Sequence, residues 1–224
     1  MTLAQALARA ATLGLARLDA QLLLLHVLQR GEGERAWLLA HDTDTLAPAQ
    51  RDAFDGLCRR RLAGEPVAYL LGRKEFWGLA LAVDARVLVP RPDTETLVAW
   101  ALEVVDESGG QRVLDLGTGS GAIALALAHV RPGLQVEAVD RSAEALAVAR
   151  ANAARLGLPV TFREASWLEG APTGLDLIVS NPPYIADQDP HMDALVHEPR
   201  SALVAGPDGL DDLRAIVATA PAHL

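Results

Sequence analysis

The chain has 224 residues, half of them hydrophobic and 22% charged, with 20 Lys and Arg against 29 Asp and Glu for a net charge of −9. That composition is globular, long enough to bury one large core or a large and a small one. A single cysteine, Cys58, excludes a disulfide framework, and an acidic chain lacks the charge to hold duplex nucleic acid through many phosphates.

The N-terminus has no basic region before its apolar positions, which Arg9 and Arg17 interrupt, so it does not read as a secretory signal. Apolar stretches such as Ala122 to Val130 are about half the roughly 20 residues a membrane helix needs, and a cytoplasmic location is expected. Residues 1–73 read as a small helical domain, with Leu18, Leu22, Leu25, Val27 and Leu28 at helical spacing and a further helix over Ala49 to Leu62 behind Pro48. Residues 74–90 read as a β-hairpin linker, since Gly78 divides the short apolar runs of Glu75 to Val83. From Asp93 a helix carries Leu97, Val98, Ala101, Leu102 and Val105 on one side and ends at Gly109-Gly110.

Over 91–224 strand and helix alternate. Strands are expected at Arg112 to Leu116, Gln135 to Val139, Val160 to Arg163 and Leu175 to Ser180, with helices at Ala122 to Val130, Ser142 to Leu156 and Asp208 to Ala220. Such alternation predicts an α/β fold, a parallel sheet with helices on both faces. The run Leu175 to Ser180 is apolar on both faces, as suits an interior strand.

The first of these strands runs into Gly117-Thr118-Gly119-Ser120-Gly121 and a helix. Glycines let a ligand approach the backbone, and Asp140 closes the next strand where a carboxylate can take two ribose hydroxyls. The third glycine comes one residue earlier than in dinucleotide-binding loops, which favours a nucleoside without a pyrophosphate. The plainer reading is a tight turn with Asp140 as a helix cap. With Asp115 ahead of the turn, the set resembles the S-adenosylmethionine site of Rossmann-like methyltransferases.

At the end of the fourth strand stands Asn181-Pro182-Pro183-Tyr184. Two prolines stiffen the loop and remove two N–H donors, leaving the Asn181 side-chain oxygen and the Pro182 carbonyl as acceptors for a planar NH₂ group, with Tyr184 able to stack on its plane. The combination resembles methyltransferases of planar nitrogens and, more narrowly, the PrmC/HemK family, the N5-glutamine methyltransferases of peptide chain release factors. The resemblance includes Glu75-Phe76-Trp77-Gly78, Val89-Pro90-Arg91-Pro92-Asp93-Thr94-Glu95, Glu198-Pro199-Arg200 and Ala202-Leu203. The Pro-Arg-Pro-Asp-Thr-Glu run also reads as a capped helix start after a rigid turn.

The resemblance implies a class I methyltransferase domain over 91–224 behind a substrate-recognition domain over 1–73. It implies that Gly117, Thr118, Gly119, Ser120, Gly121, Asp140, Trp167 and Asn181 contact S-adenosylmethionine, which leaves as S-adenosylhomocysteine. Asn181, Pro182, Pro183 and Tyr184 would hold the glutamine of a release factor's Gly-Gly-Gln loop, with Asn181, Pro182 and Tyr184 the catalytic set and no metal. Ser166 stands where the family often has an acidic residue. Methyltransferases of this class continue with three more strands, so the resemblance implies a chain extending about 50 residues further, one that would cover the fourth strand.

Other features read as structural. Asp187, Asp189, His191 and Asp193 suit a solvated loop better than a metal site, His26 a core boundary, and Arg59-Arg60-Arg61 a solvated helix face or a partner contact. Cys58 beside those arginines lacks a partner histidine for nucleophilic work. Two rival functions remain open at this point, an adenine-N6 or guanine-N2 nucleic-acid methyltransferase and a non-catalytic S-adenosylmethionine-binding module. The expected partners are release factors, without direct nucleic-acid or membrane contact.

Overall fold

Leucine and alanine at helical spacing fold the first 72 residues into five helices in a computed structural model that describes residues 1–224. These are α1 (Leu3–Thr12), α2 (Arg17–Val27), α3 (Arg35–Ala40), α4 (Pro48–Leu62) and α5 (Val67–Leu71). Thr2 opens α1 with a reciprocal cap: its hydroxyl accepts from Gln5 N at 3.2 Å while Gln5 Oε1 accepts from Thr2 N at 2.9 Å. The core of this unit holds Leu3, Leu23, Leu24, Leu25, Leu38 and Phe54. Leu18, expected on the buried stripe of α2, faces solvent, because that stripe runs through Ala20, Leu23 and Leu24 and residue 18 lies round the helix from it.

The chain divides into two units, Met1–Gly72 and Arg73–Leu224. The second begins with the hairpin of β1 (Arg73–Phe76) and β2 (Leu79–Ala82), so the segment expected as a linker is part of the α/β unit. Its two-residue turn has both residues left-handed, Trp77 at φ 51° and Gly78 at φ 75°, which matches the twist of paired strands. Glu75 accepts from Gly78 N at 2.6 Å and Glu95 accepts from Trp77 N at 3.0 Å, so side chains hold the strained turn.

Then come α6 (Asp93–Ser108), β3 (Arg112–Leu116), α7 (Ala122–Val130), β4 (Gln135–Asp140), α8 (Ala143–Leu156), β5 (Val160–Glu164), β6 (Leu177–Ser180) and α9 (Asp211–Thr219). The four strands pair in parallel in the order β5-β4-β3-β6. Val113, Val136, Ala138 and Val179 face α6 and α7, while Leu114, Leu116 and Val139 face Leu168, Leu175 and Ile216 of the other side. Leu116 lies opposite both Val139 and Ser180, so β3, β4 and β6 end at one edge and deliver Gly117, Asp140 and Asn181 together.

The starts of β6 and α9 and the cap of α6 differ from the sequence reading. Leu175 stays outside β6 because its N–H donates to the His223 carbonyl at 2.8 Å. Helix α9 starts at Asp211 rather than Asp208, after a turn with Gly206 at φ 78° and Gly209 at φ 76° whose Asp208 side chain accepts from Leu210 N at 3.1 Å. The start of α6 has no side-chain cap, Glu95 having turned to the hairpin instead. None of the helices is long and apolar enough to cross a membrane.

Candidate functional site

The glycine loop after β3 is held from beneath by its neighbour strand, since Gly117 N and Thr118 N both donate to the Val139 carbonyl, at 2.9 and 3.0 Å. Gly117, Gly119 and Gly121 all have positive φ. At Gly117 a Cβ would lie 3.3 Å from the Trp167 ring, so glycine there leaves the indole a place over the backbone. Trp167 is itself left-handed, at φ 47°.

Asp140 holds this loop as well as facing the cleft. Its Oδ2 accepts from Gly119 N and its Oδ1 from Ser142 N, both at 2.9 Å, and each oxygen retains a further lone pair. The cap and the ribose acceptor expected of Asp140 are thus compatible in one carboxylate. Beneath the loop Asp115 is fully buried, its Oδ2 accepting from the Thr118 hydroxyl at 2.7 Å and from Ala124 N at 3.3 Å. Its Oδ1 has no partner, and burial pushes this carboxyl up to about 7 against the lowering effect of those two bonds.

Above the strand ends lies a cleft lined by Gly117, Gly119, Asp140, Ser166, Trp167 and Asn181 among others. A carboxylate with free lone pairs, a glycine floor and an indole wall fit the chemistry of a nucleoside. Thr118 and Ser120 line a smaller adjoining hollow together with Arg91, Thr94 and Asn181. Gly121 lines neither; a Cβ there would lie 3.0 Å from Leu125 and 3.3 Å from Ala149, so its role is to let α7 and α8 close.

Asn181 stands where the two hollows meet, and its side-chain Nδ2 donates to the Thr94 hydroxyl at 3.3 Å. The strand before it is pinned by Ser180, whose hydroxyl donates to the Leu116 carbonyl at 2.9 Å. Pro182 and Pro183 are buried and Tyr184 is 63% exposed. Beyond them Ile185 N donates to Leu203 O at 2.9 Å and Ala205 N to Ile185 O at 3.0 Å, so both ends of the loop are anchored.

Four positions that shape this region take no role from the sequence alone. Glu198 is a buried carboxylate that accepts from Val89 N at 3.0 Å and from the Arg91 guanidinium at 2.5 Å, bolting its segment to the stretch before α6. Asn152, fully buried on α8, accepts from Ala82 N at 2.7 Å and donates to Ala82 O and Ser120 O, both at 3.0 Å, joining the hairpin to the glycine loop. Gly209 lies so near the Asn-Pro-Pro-Tyr loop that a Cβ would sit 2.4 Å from the Tyr184 carbonyl. Thr94 is the fourth; it and Glu198 fall inside family motifs, but spacing does not disclose which groups they meet.

The remaining candidates are structural. Asp189 accepts from His191 N at 2.8 Å and from its ring Nδ1 at 2.7 Å, which caps the short helical turn Pro190–Leu195 and draws the carboxyl below its usual range. Cys58 is buried in the helical unit, and desolvation with Asp55 nearby pushes its thiol up to about 11. Arg60 pairs with Glu65 at 2.5 Å and Arg61 with Asp19 at 2.7 Å, while His26 is half-buried.

Known proteins agree with this architecture. Residues 94–208 match the methyltransferase small domain and residues 2–72 the PrmC N-terminal domain. The release factor glutamine methyltransferase of Xylella fastidiosa is 52% identical over 98% of this chain and 80% of its own length. That of Escherichia coli is 44% identical over 90% of this chain and 73% of its own. Among solved structures the hMettl16 catalytic domain in complex with a MAT2A 3'UTR hairpin superposes with a TM-score of 0.51 over 71% of this chain and 62% of that one; at 18% identity it shows the fold alone. Identity of about half, over a span that takes in the helical unit, the glycine loop and the Asn-Pro-Pro-Tyr turn, means that this chain belongs to the release factor glutamine methyltransferase family.

Proposed function

We infer that this chain transfers a methyl group from S-adenosylmethionine to the side-chain N5 of the glutamine in the Gly-Gly-Gln loop of peptide chain release factors, and that Asn181 and Pro182 hold the reacting amide. The observation that carries the residue assignment is the place of Asn181, at the end of β6 where the cleft over the glycine loop meets the adjoining hollow. When bound, S-adenosylmethionine supplies an electrophilic methyl carbon on a sulfonium.

An amide nitrogen is a weak nucleophile because its lone pair is delocalised into the carbonyl. Asn181 Oδ1 and the Pro182 carbonyl accept its two N–H groups, which fixes the nitrogen in line for attack and favours its pyramidal form. Such alignment can supply several kcal/mol of the barrier, and it depends on a loop that does not yield. The anchors at Ser180 and Ile185 provide that stiffness. Asp140 takes the ribose hydroxyls through its free lone pairs, and Trp167 with Gly117 bounds the base. Tyr184 lines neither hollow and is exposed, which leaves its ring face free for the substrate amide. The methylated nitrogen is strongly acidic and gives its proton to water, so no side chain need act as base.

The test is transfer of labelled methyl to release factor, tRNA and DNA side by side, with a second release factor in which the loop glutamine is substituted. Label is expected on the intact factor alone. Label on nucleic acid, or on the factor lacking its glutamine, would overturn the reading.

A further inference from the structure

We propose that Thr94 is a positioning residue that holds the Asn181 amide in place for the substrate, an inference that rests on reading Asn181 as the clamp on the glutamine nitrogen. An asparagine amide offers an acceptor on one side and a donor on the other, and a half-turn about its terminal bond exchanges them. Only the acceptor is of use opposite a glutamine NH₂, since two NH₂ groups set face to face have no lone pair between them. The Asn181 side chain therefore needs a group that engages its nitrogen and leaves Oδ1 to the substrate.

In the observed arrangement Thr94 is that group, its hydroxyl accepting from Nδ2; because a hydroxyl can also donate, Thr94 holds the side chain in place and the substrate NH₂ selects the acceptor face. That hydroxyl oxygen lies 3.3 Å from Asn181 Nδ2, on the wall of the hollow that Asn181 also lines. The threonine is held in its turn. Its N–H donates to the Arg91 carbonyl at 3.0 Å in the first turn of α6, and the approach to that turn is bolted by the buried Glu198, through Val89 N and the Arg91 guanidinium. The chain of contacts thus runs from Glu198 through the 89–94 segment to Thr94, and from Thr94 to the amide. Rigid support of this kind keeps a site within the tolerance that chemistry demands.

Thr94→Val keeps the shape and removes the hydroxyl, and Thr94→Ser keeps the hydroxyl. With release factor as substrate, Thr94→Val is expected to lower kcat about tenfold, the scale of one hydrogen bond, with the S-adenosylmethionine dissociation constant by calorimetry within about twofold of the parent. Thr94→Ser should recover to within about threefold of the parent. Thermal melting checks that each variant is folded, and Thr94→Ala replaces the valine variant should that one not fold. In an Asn181→Ala background the Thr94 substitution should cost nothing further, because its effect passes through Asn181.

Parental kcat in Thr94→Val, a serine variant as slow as the valine one, or an added loss in the double variant would each overturn the inference. The two readings fail differently. Asn181→Ala at parental turnover would remove the clamp and this inference with it, whereas a collapsed Asn181→Ala beside a parental Thr94→Val would remove only the role of Thr94.

Discussion

Asp115 carries a charge that its surroundings resist, being fully buried with one oxygen unpartnered and its carboxyl raised from 3.8 to about 7. A carboxyl whose folded value lies above its unfolded one binds its proton more tightly when folded. Its contribution therefore favours folding below about pH 4 and is lost as pH rises through about 7. Asp115→Asn should remove that decline, so its melting temperature should gain on the parent as pH rises; parallel melting curves for the two proteins between acid and neutral pH would contradict the assignment. At the cleft, Asp140→Ala deletes a carboxylate that holds Gly119 N and Ser142 N and is proposed to take the ribose. Charge-assisted bonds of about 1.5–3 kcal/mol each make a rise of at least about tenfold in the S-adenosylmethionine dissociation constant the expected calorimetric result. Motif spacing points to Asp140 and Asn181 because their roles follow from residue type at a strand end. Thr94 and Glu198 are not legible in that way, since a hydroxyl or carboxylate acquires its role only from a partner 87 or 109 positions away in the chain.

Elements are legible in the sequence where periodicity decides them and less so where a distant partner does. The apolar runs of β3, β4 and α7 are buried as expected, with Leu114, Leu116 and Leu125 fully inside. The starts of β6 and α9 lie later than periodicity suggests, because the His223 carbonyl and the turn at Gly206 and Gly209 set them. The hairpin's hold on α8 through Asn152 is equally hidden, an asparagine in a helix carrying no local sign that it serves three backbone groups. Gly209 permits a strong expectation at this scale. Its φ of 76° and the 2.4 Å gap to the Tyr184 carbonyl leave no room for a methyl group. Gly209→Ala should destabilise the protein by more than about 1 kcal/mol in chemical denaturation, and should lower kcat while leaving cofactor affinity near the parent. Unchanged stability would mean that the Asn-Pro-Pro-Tyr loop tolerates displacement.

The chain divides into two units, for which we propose two tasks. Every residue proposed for the cofactor lies in Arg73–Leu224, and Met1–Gly72 has a hydrophobic core of its own around Leu23, Leu24, Leu25 and Phe54. Removing residues 1–72 should accordingly spare S-adenosylmethionine binding while transfer to intact release factor collapses; equal transfer by the shortened protein would refute a recognition role for the helical unit. The common ending of β3, β4 and β6 also gives the sheet a polarity in its tolerance of inserted residues. At the far edge, Gly133 opens the approach to β4 with nothing within 4 Å of where a side chain would stand, so an added residue there is absorbed by solvent. At the near edge one added residue moves the chain by about 3.3 Å, more than a hydrogen bond can follow. A library of single-glycine insertions should therefore divide along the strands: cofactor binding is kept for insertion at Gly133 and lost for insertion between Gly119 and Ser120 or between Asp140 and Arg141.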